Sequence, residues 1–83
     1  MNRLDKWLFH ARLCRSRALA QEKVASGHVR LNGAKVDKPG HVLKPGDVLT
    51  LRMGQNIVAL RVLSLAEKRG SASEARVLYE TIA

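Results

Sequence analysis

Residues 15–33, Arg15-Ser16-Arg17-Ala18-Leu19-Ala20-Gln21-Glu22-Lys23-Val24-Ala25-Ser26-Gly27-His28-Val29-Arg30-Leu31-Asn32-Gly33, contain a helix and a hairpin in one run. Ser16 fits the cap of a helix running from Arg17 to about Ser26, and Gly27 fits the left-handed residue that ends it. Ala20 and Val24 share a face with Leu19 nearby, and the small alanines let this helix approach a neighbour closely. Val29 and Leu31 then alternate around Arg30. Asn32-Gly33 is the strongest short signal for a tight hairpin turn. Two short helices cannot bury enough surface alone, so the strands must supply the layer they pack on.

Upstream, Leu4, Trp7, Leu8 and Ala11 fall on one face of a first helix, with Asn2 as its expected cap and Asp5 in its first turn. Downstream, Lys35-Val36 resumes an extended run and Lys38-Pro39-Gly40 marks a turn. Lys44-Pro45-Gly46-Asp47 reads as a type II turn. Strands are expected over Val48–Met53 and Ile57–Leu65, separated by Gly54-Gln55-Asn56. Ser71 and Glu74 match a capping box for a closing helix with Ala75, Leu78, Tyr79 and Ile82 along one face. The expected fold is α+β: two N-terminal helices on a small antiparallel sheet of about four strands, with a short C-terminal helix. It forms a single domain over 1–83, with a helix-helix-hairpin core at about 3–52 and a β extension with the closing helix at about 53–83.

Eighty-three residues, 46% of them hydrophobic, support a modest core but bury only about 60% of the unfolded surface, which argues against a deep enclosed cleft. One cysteine excludes an internal disulfide. No apolar stretch is long enough to cross a bilayer and no secretory signal is evident, so a reducing, cytoplasmic setting is expected. The formal charge is +8, and residues 1–44 hold ten basic side chains against three acidic ones. Charge gathered in one half draws in a polyanion, most commonly nucleic acid.

Arg3 lies just before the first helix and Arg15, Ser16 and Arg17 lie where the second opens, a place for a phosphate to meet free N–H groups and rigid guanidinium forks. Ser16 reads first as the cap, with ligand contact as a further role. Arg12 and Lys6 are candidates to add contacts from the first helix, while Lys23, Arg30 and Lys35 contribute field more than geometry. His28 is either a solvated turn residue or a stacking or phosphate contact. Asp5 fits as a partner of Arg3, orienting the surface. Trp7 belongs to the apolar stripe, so core packing outweighs base stacking.

Other chemistries find little support. His10, Cys14, His28 and His41 lack metal-site spacing. Cys14 reads as a small buried thiol whose pKa the nearby Arg12, Arg15 and Arg17 are expected to lower, with no partner base. The carboxylates form no evident acid–base pair, and no phosphate-binding loop or dinucleotide fingerprint occurs, so neither enzyme activity nor a cofactor is expected. DNA binding is expected to be weaker and nonspecific, and the chain to be monomeric with no membrane partner.

Arg3-Leu4-Asp5-Lys6-Trp7-Leu8, Arg15-Ser16-Arg17, Gly27-His28-Val29-Arg30-Leu31-Asn32-Gly33 and the Lys44–Asp47 turn together resemble the RNA-binding domain first described in ribosomal small-subunit protein S-four. Trp7, Arg52-Met53-Gly54-Gln55 and the tail from Glu67 through Ala75 to Leu78-Tyr79-Glu80 resemble more narrowly the ribosome-associated fifteen-kilodalton heat-shock protein family. The resemblance implies non-catalytic binding of structured ribosomal RNA through the paired helices and hairpin, with Asn32 added as a direct RNA contact. It further implies association with the large ribosomal subunit, and in the heat-shock branch with stalled subunits carrying a nascent chain on transfer RNA. Members usually continue past Tyr79 into a basic extension, whereas this sequence ends at Ala83. An RNA-targeting domain of an rRNA-modifying enzyme, a DNA-binding module and a protein-interaction module are the alternatives.

Overall fold

The structure is a computed structural model that describes residues 2–66 and 69–82; Glu67 and Lys68, part of the tail that carries the family resemblance, lie outside the described residues. A two-residue strand β1 (Asn2–Arg3) leads into α1 (Leu4–His10), followed by α2 (Arg17–Ala25). Leu4, Trp7 and Leu8 are fully buried, as their spacing requires. The expected cap at Asn2 is corrected: the capping position falls on Arg3, whose side chain makes no cap bond. The first orphan N–H groups are instead satisfied by a distant loop, Leu4 donating to the His41 carbonyl (2.7 Å) and Asp5 to that of Pro39 (3.1 Å). On α2, Ser16 Oγ accepts from the Leu19 N–H at 3.1 Å. Gly27 takes φ +82°. The helix closes with Gly27 N–H on the Val24 carbonyl and His28 N–H on that of Lys23, a Schellman ending that requires the left-handed residue.

Strands β2 (Val29–Leu31), β3 (Ala34–Lys35), β4 (Val42–Leu43), β5 (Val48–Met53) and β6 (Asn56–Val62) follow, then α3 (Ala72–Ala75) and β7 (Tyr79–Ile82). The main sheet has the order β3-β2-β5-β6-β7 with antiparallel neighbours, and β1 pairs with β4 in a separate ribbon. Val29, Leu31, Leu49, Leu51 and Leu60 join Trp7, Leu8, Ala20 and Val24 in one core, so the helices cover one face of the sheet. Asn32 at φ +51° and Gly33 at φ +85° form the tight turn their sequence requires. This turn is tied to the Lys44–Asp47 turn through a buried carboxylate. Asp47 accepts from Asn32 Nδ2 (3.2 Å) and from the Lys44 N–H (3.0 Å), while Asn32 Oδ1 accepts from the Val48 N–H (2.9 Å). Asp47→Ala is therefore expected to cost about 1–3 kcal/mol, a fall in Tm of at least roughly 4 °C by thermal denaturation. An unchanged Tm would show that the two turns hold without their link.

The closing segment departs from expectation. The Ser71–Glu74 capping box forms, but the helix it starts ends at Ala75, and Tyr79–Ile82 extends along β6 as a fifth strand. Once Leu63 and Ser64 donate to the Leu78 carbonyl (2.8 and 3.2 Å), β6 offers an open ladder to a segment containing Tyr, Thr and Ile, residues that suit a pleated surface. β6 is correspondingly shorter than expected, ending at Val62. Tyr79 meets Trp7 edge-on, with ring centroids 6.3 Å apart.

Candidate nucleic-acid interface

The helix pair is organised around one carboxylate. Asp5 is fully buried. Its Oδ1 accepts from Arg3 Nε (3.2 Å) and from the Lys6 N–H (2.8 Å), and its Oδ2 accepts from Arg3 Nη2 (3.3 Å) and Gln21 Nε2 (3.1 Å). Arg17 Nη2 lies 4.0 Å from the same oxygen. The Arg3 and Arg17 side chains remain 49% and 45% exposed. One buried negative charge thus fixes the Arg3 guanidinium and has that of Arg17 nearby, both half-exposed, with local positive charge in excess beside an exposed Arg15. Such an arrangement suits a phosphate: the Arg3 group is held in place beforehand, so less side-chain entropy is lost on binding.

The other basic residues are placed differently. Lys6 is half-buried on α1 and Ser16 half-buried at the α2 cap. Arg12 has a left-handed backbone, φ +60°, and its Nε donates to the Gly70 carbonyl at 2.8 Å. It clasps the segment before α3 to the end of α1, where His10 Nδ1 also lies 3.1 Å from the Ala66 carbonyl and Arg69 stacks on Phe9 at 4.4 Å. Lys23 donates to the Arg52 carbonyl at 2.7 Å, tying α2 to the sheet. His28 is exposed with Nδ1 3.2 Å from Ser26 Oγ. Arg30 and Lys35 face each other across β2 and β3, and Asn32 has both ends of its amide engaged in the turn link. The eleven candidate residues therefore divide between the helix junction, the α1 end, the hairpin tip and the sheet side. Sequence reading missed Gln21, which lies one turn after Arg17 on α2, and it missed Arg52.

Cys14 is buried. Desolvation pushes its thiol pKa up, with Lys23 pulling it down to a smaller extent; the expected lowering by neighbouring arginines is corrected, because burial outweighs charge here. Among the described residues no group of three or more His, Cys, Asp or Glu could hold a metal ion, and no helix is long and apolar enough to cross a membrane.

Comparison with known proteins agrees with this geometry. A family model described as the S4 domain matches residues 2–49. Heat shock protein 15 of Escherichia coli K12 is 43% identical over 81 residues, 98% of this chain and 60% of that protein; the chain thus spans about three fifths of that relative's length. An RQC P-site tRNA stabilizing factor from Halalkalibacterium halodurans is 41% identical over 94% of this chain and 86% of its own length. Among solved structures, Vibrio cholerae heat shock protein 15 superposes with a TM-score of 0.94 at 36% identity, over 99% of this chain and 82% of that one. That structure is described as trimeric, which overturns the expectation of a monomer. Sequence patterning carries no measure of exposure, and the fold leaves Ile57 and Val77, 72% and 66% accessible, uncovered by the rest of the chain.

Proposed function

The chain belongs to the S4 domain family, with heat shock protein 15 and the RQC P-site tRNA stabilizing factor among its relatives, and on that premise we propose that it binds structured RNA of the ribosome without catalysing a reaction. The observation that carries this reading is the buried Asp5 holding Arg3 and Arg17 half in solvent at the start of α2. Residues 1–83 act as a single RNA-binding domain. Arg3, Arg15 and Arg17 make the directed phosphate contacts, Ser16 fixes the helix end between them, and Lys6 and Arg12 flank them. Lys23, His28, Arg30 and Lys35 extend the surface, with Asn32 at the hairpin tip beside them. A-form RNA is recognised by shape, phosphate and 2′-hydroxyl contacts, which suits a rigid helix pair whose tryptophan is buried. The relatives' names, a heat shock protein and a P-site tRNA stabilizing factor, fit a setting of ribosomal RNA near transfer RNA under heat stress, and the family resemblance extends this to stalled particles carrying a nascent chain.

Neutralising about four or five phosphates gives a log–log dependence of affinity on salt with a slope of roughly −3 to −4. Fluorescence anisotropy of a labelled ribosomal RNA fragment at several salt concentrations measures it. A flat profile would remove phosphate recognition as the basis of binding.

A further inference from the structure

The sheet face turned away from the helices carries a charged feature that the helix junction does not use. Strand alternation puts Arg30 of β2, His28 just before that strand, and Thr50 and Arg52 of β5 on the same side of the sheet. Arg30 stands opposite Thr50, and one step along the ladder the Arg52 N–H donates to the His28 carbonyl at 3.0 Å. The four line a hollow of about 190 Å3 together with Gly27 and Ile57, and among the described residues no carboxylate lines it. Lys35 stands opposite Arg30 on the other strand edge. Like charges directly across a strand pair are destabilising, so the fold keeps at its surface a cluster that an anion would relieve. The carbonyl end of α2 opposes an anion here, but Lys35 covers it: a Cβ placed on Gly27 would lie 3.1 Å from Lys35 Nζ.

We propose that this hollow is a second phosphate site, taking a phosphodiester group of the bound RNA between Arg30 and Arg52, with the Thr50 hydroxyl and the His28 ring as further donors. The inference rests on the RNA-binding reading and extends it. The junction cluster and the hollow lie at opposite ends of α2, whose nine residues span about 14 Å, so one RNA engages both ends of the helix.

The test uses the full chain and a fluorescein-labelled RNA hairpin, with affinity measured by anisotropy across a salt series. Arg30→Ala/Arg52→Ala is expected to weaken binding about tenfold and to make the log–log salt slope shallower by about 1, with circular dichroism unchanged. Should the alanine pair disturb folding, Arg30→Gln/Arg52→Gln keeps most of the aliphatic stem and a neutral polar end and carries the same expectation. Arg61→Ala/Arg76→Ala removes as many charges from residues that do not line the hollow, Arg61 being paired with Glu80, and should leave the slope alone. The hollow is refuted if the Arg30/Arg52 variant keeps wild-type affinity and slope, or loses no more than the Arg61/Arg76 variant. If the Arg15→Ala/Arg17→Ala variant loses binding while the Arg30/Arg52 variant does not, the hollow alone is wrong. If the unaltered chain binds the hairpin with no salt dependence, the RNA reading itself fails.

Discussion

The Arg15→Ala/Arg17→Ala variant is expected to bind structured ribosomal RNA roughly 30- to 160-fold more weakly than the unaltered chain. Two charge-assisted phosphate contacts, each contributing about 1–1.5 kcal/mol at a solvent-exposed site, give that range. Folding should survive, since Asp5 keeps Arg3 and Gln21 as hydrogen-bond partners and a half-exposed ion pair at 4.0 Å contributes little to stability. Removing Arg61 and Arg76 should change affinity less than about threefold, because Arg61 already spends its charge on Glu80 at 2.6 Å. Circular dichroism checks the folds, and anisotropy titrations at matched salt read the affinities. Equal losses from the two double variants would mean that the protein attracts RNA through diffuse charge and has no binding face.

Trp7→Ala should have the largest effect on stability. The ring is fully buried, its Nε1 donates to the Ser64 carbonyl at 3.0 Å, and its face meets Tyr79 edge-on. Truncation opens a cavity and leaves that carbonyl short of a donor, a cost of about 3–5 kcal/mol. A domain of this size has a total stability of roughly 4–12 kcal/mol, so the loss removes at least about a quarter of it. Urea denaturation followed by far-ultraviolet circular dichroism measures the loss. A midpoint close to that of the unaltered chain would place the indole outside the structural core and reopen base stacking as its role.

Local signals were read well from the sequence. Ser16, Gly27, Asn32-Gly33 and Gly46 each encode a backbone conformation within a few residues, and each adopts it. The apolar spacing of Leu4, Trp7 and Leu8 likewise fixes the buried side of α1. The closing segment was misread because a capping box specifies where a helix starts and says nothing of where it stops. Whether Tyr79–Ile82 coils or extends depends on the open edge of β6, a partner supplied from a distant part of the chain. The interface shows the same division. Arg3 and Asp5 are close in sequence and their pairing was expected, whereas the links to Arg17 and Gln21 exist only once the helices pack. Lys23 reads as a source of field and Asn32 as a hairpin residue with an RNA contact, because their acceptors, the Arg52 carbonyl and Asp47, lie in turns and strands further along the chain.

The amides that begin α1 bond to carbonyls near position 40, and Asn2 and Arg3 zip against Leu43 and Val42. Translation runs from the amino end, so these residues are made before the carbonyls that anchor them. Loop closure over that separation must precede the contact that rewards it. Arg3 thus acquires its fixed bearing only once residues 39–43 are in place, so the basic face is not assembled by the two helices alone.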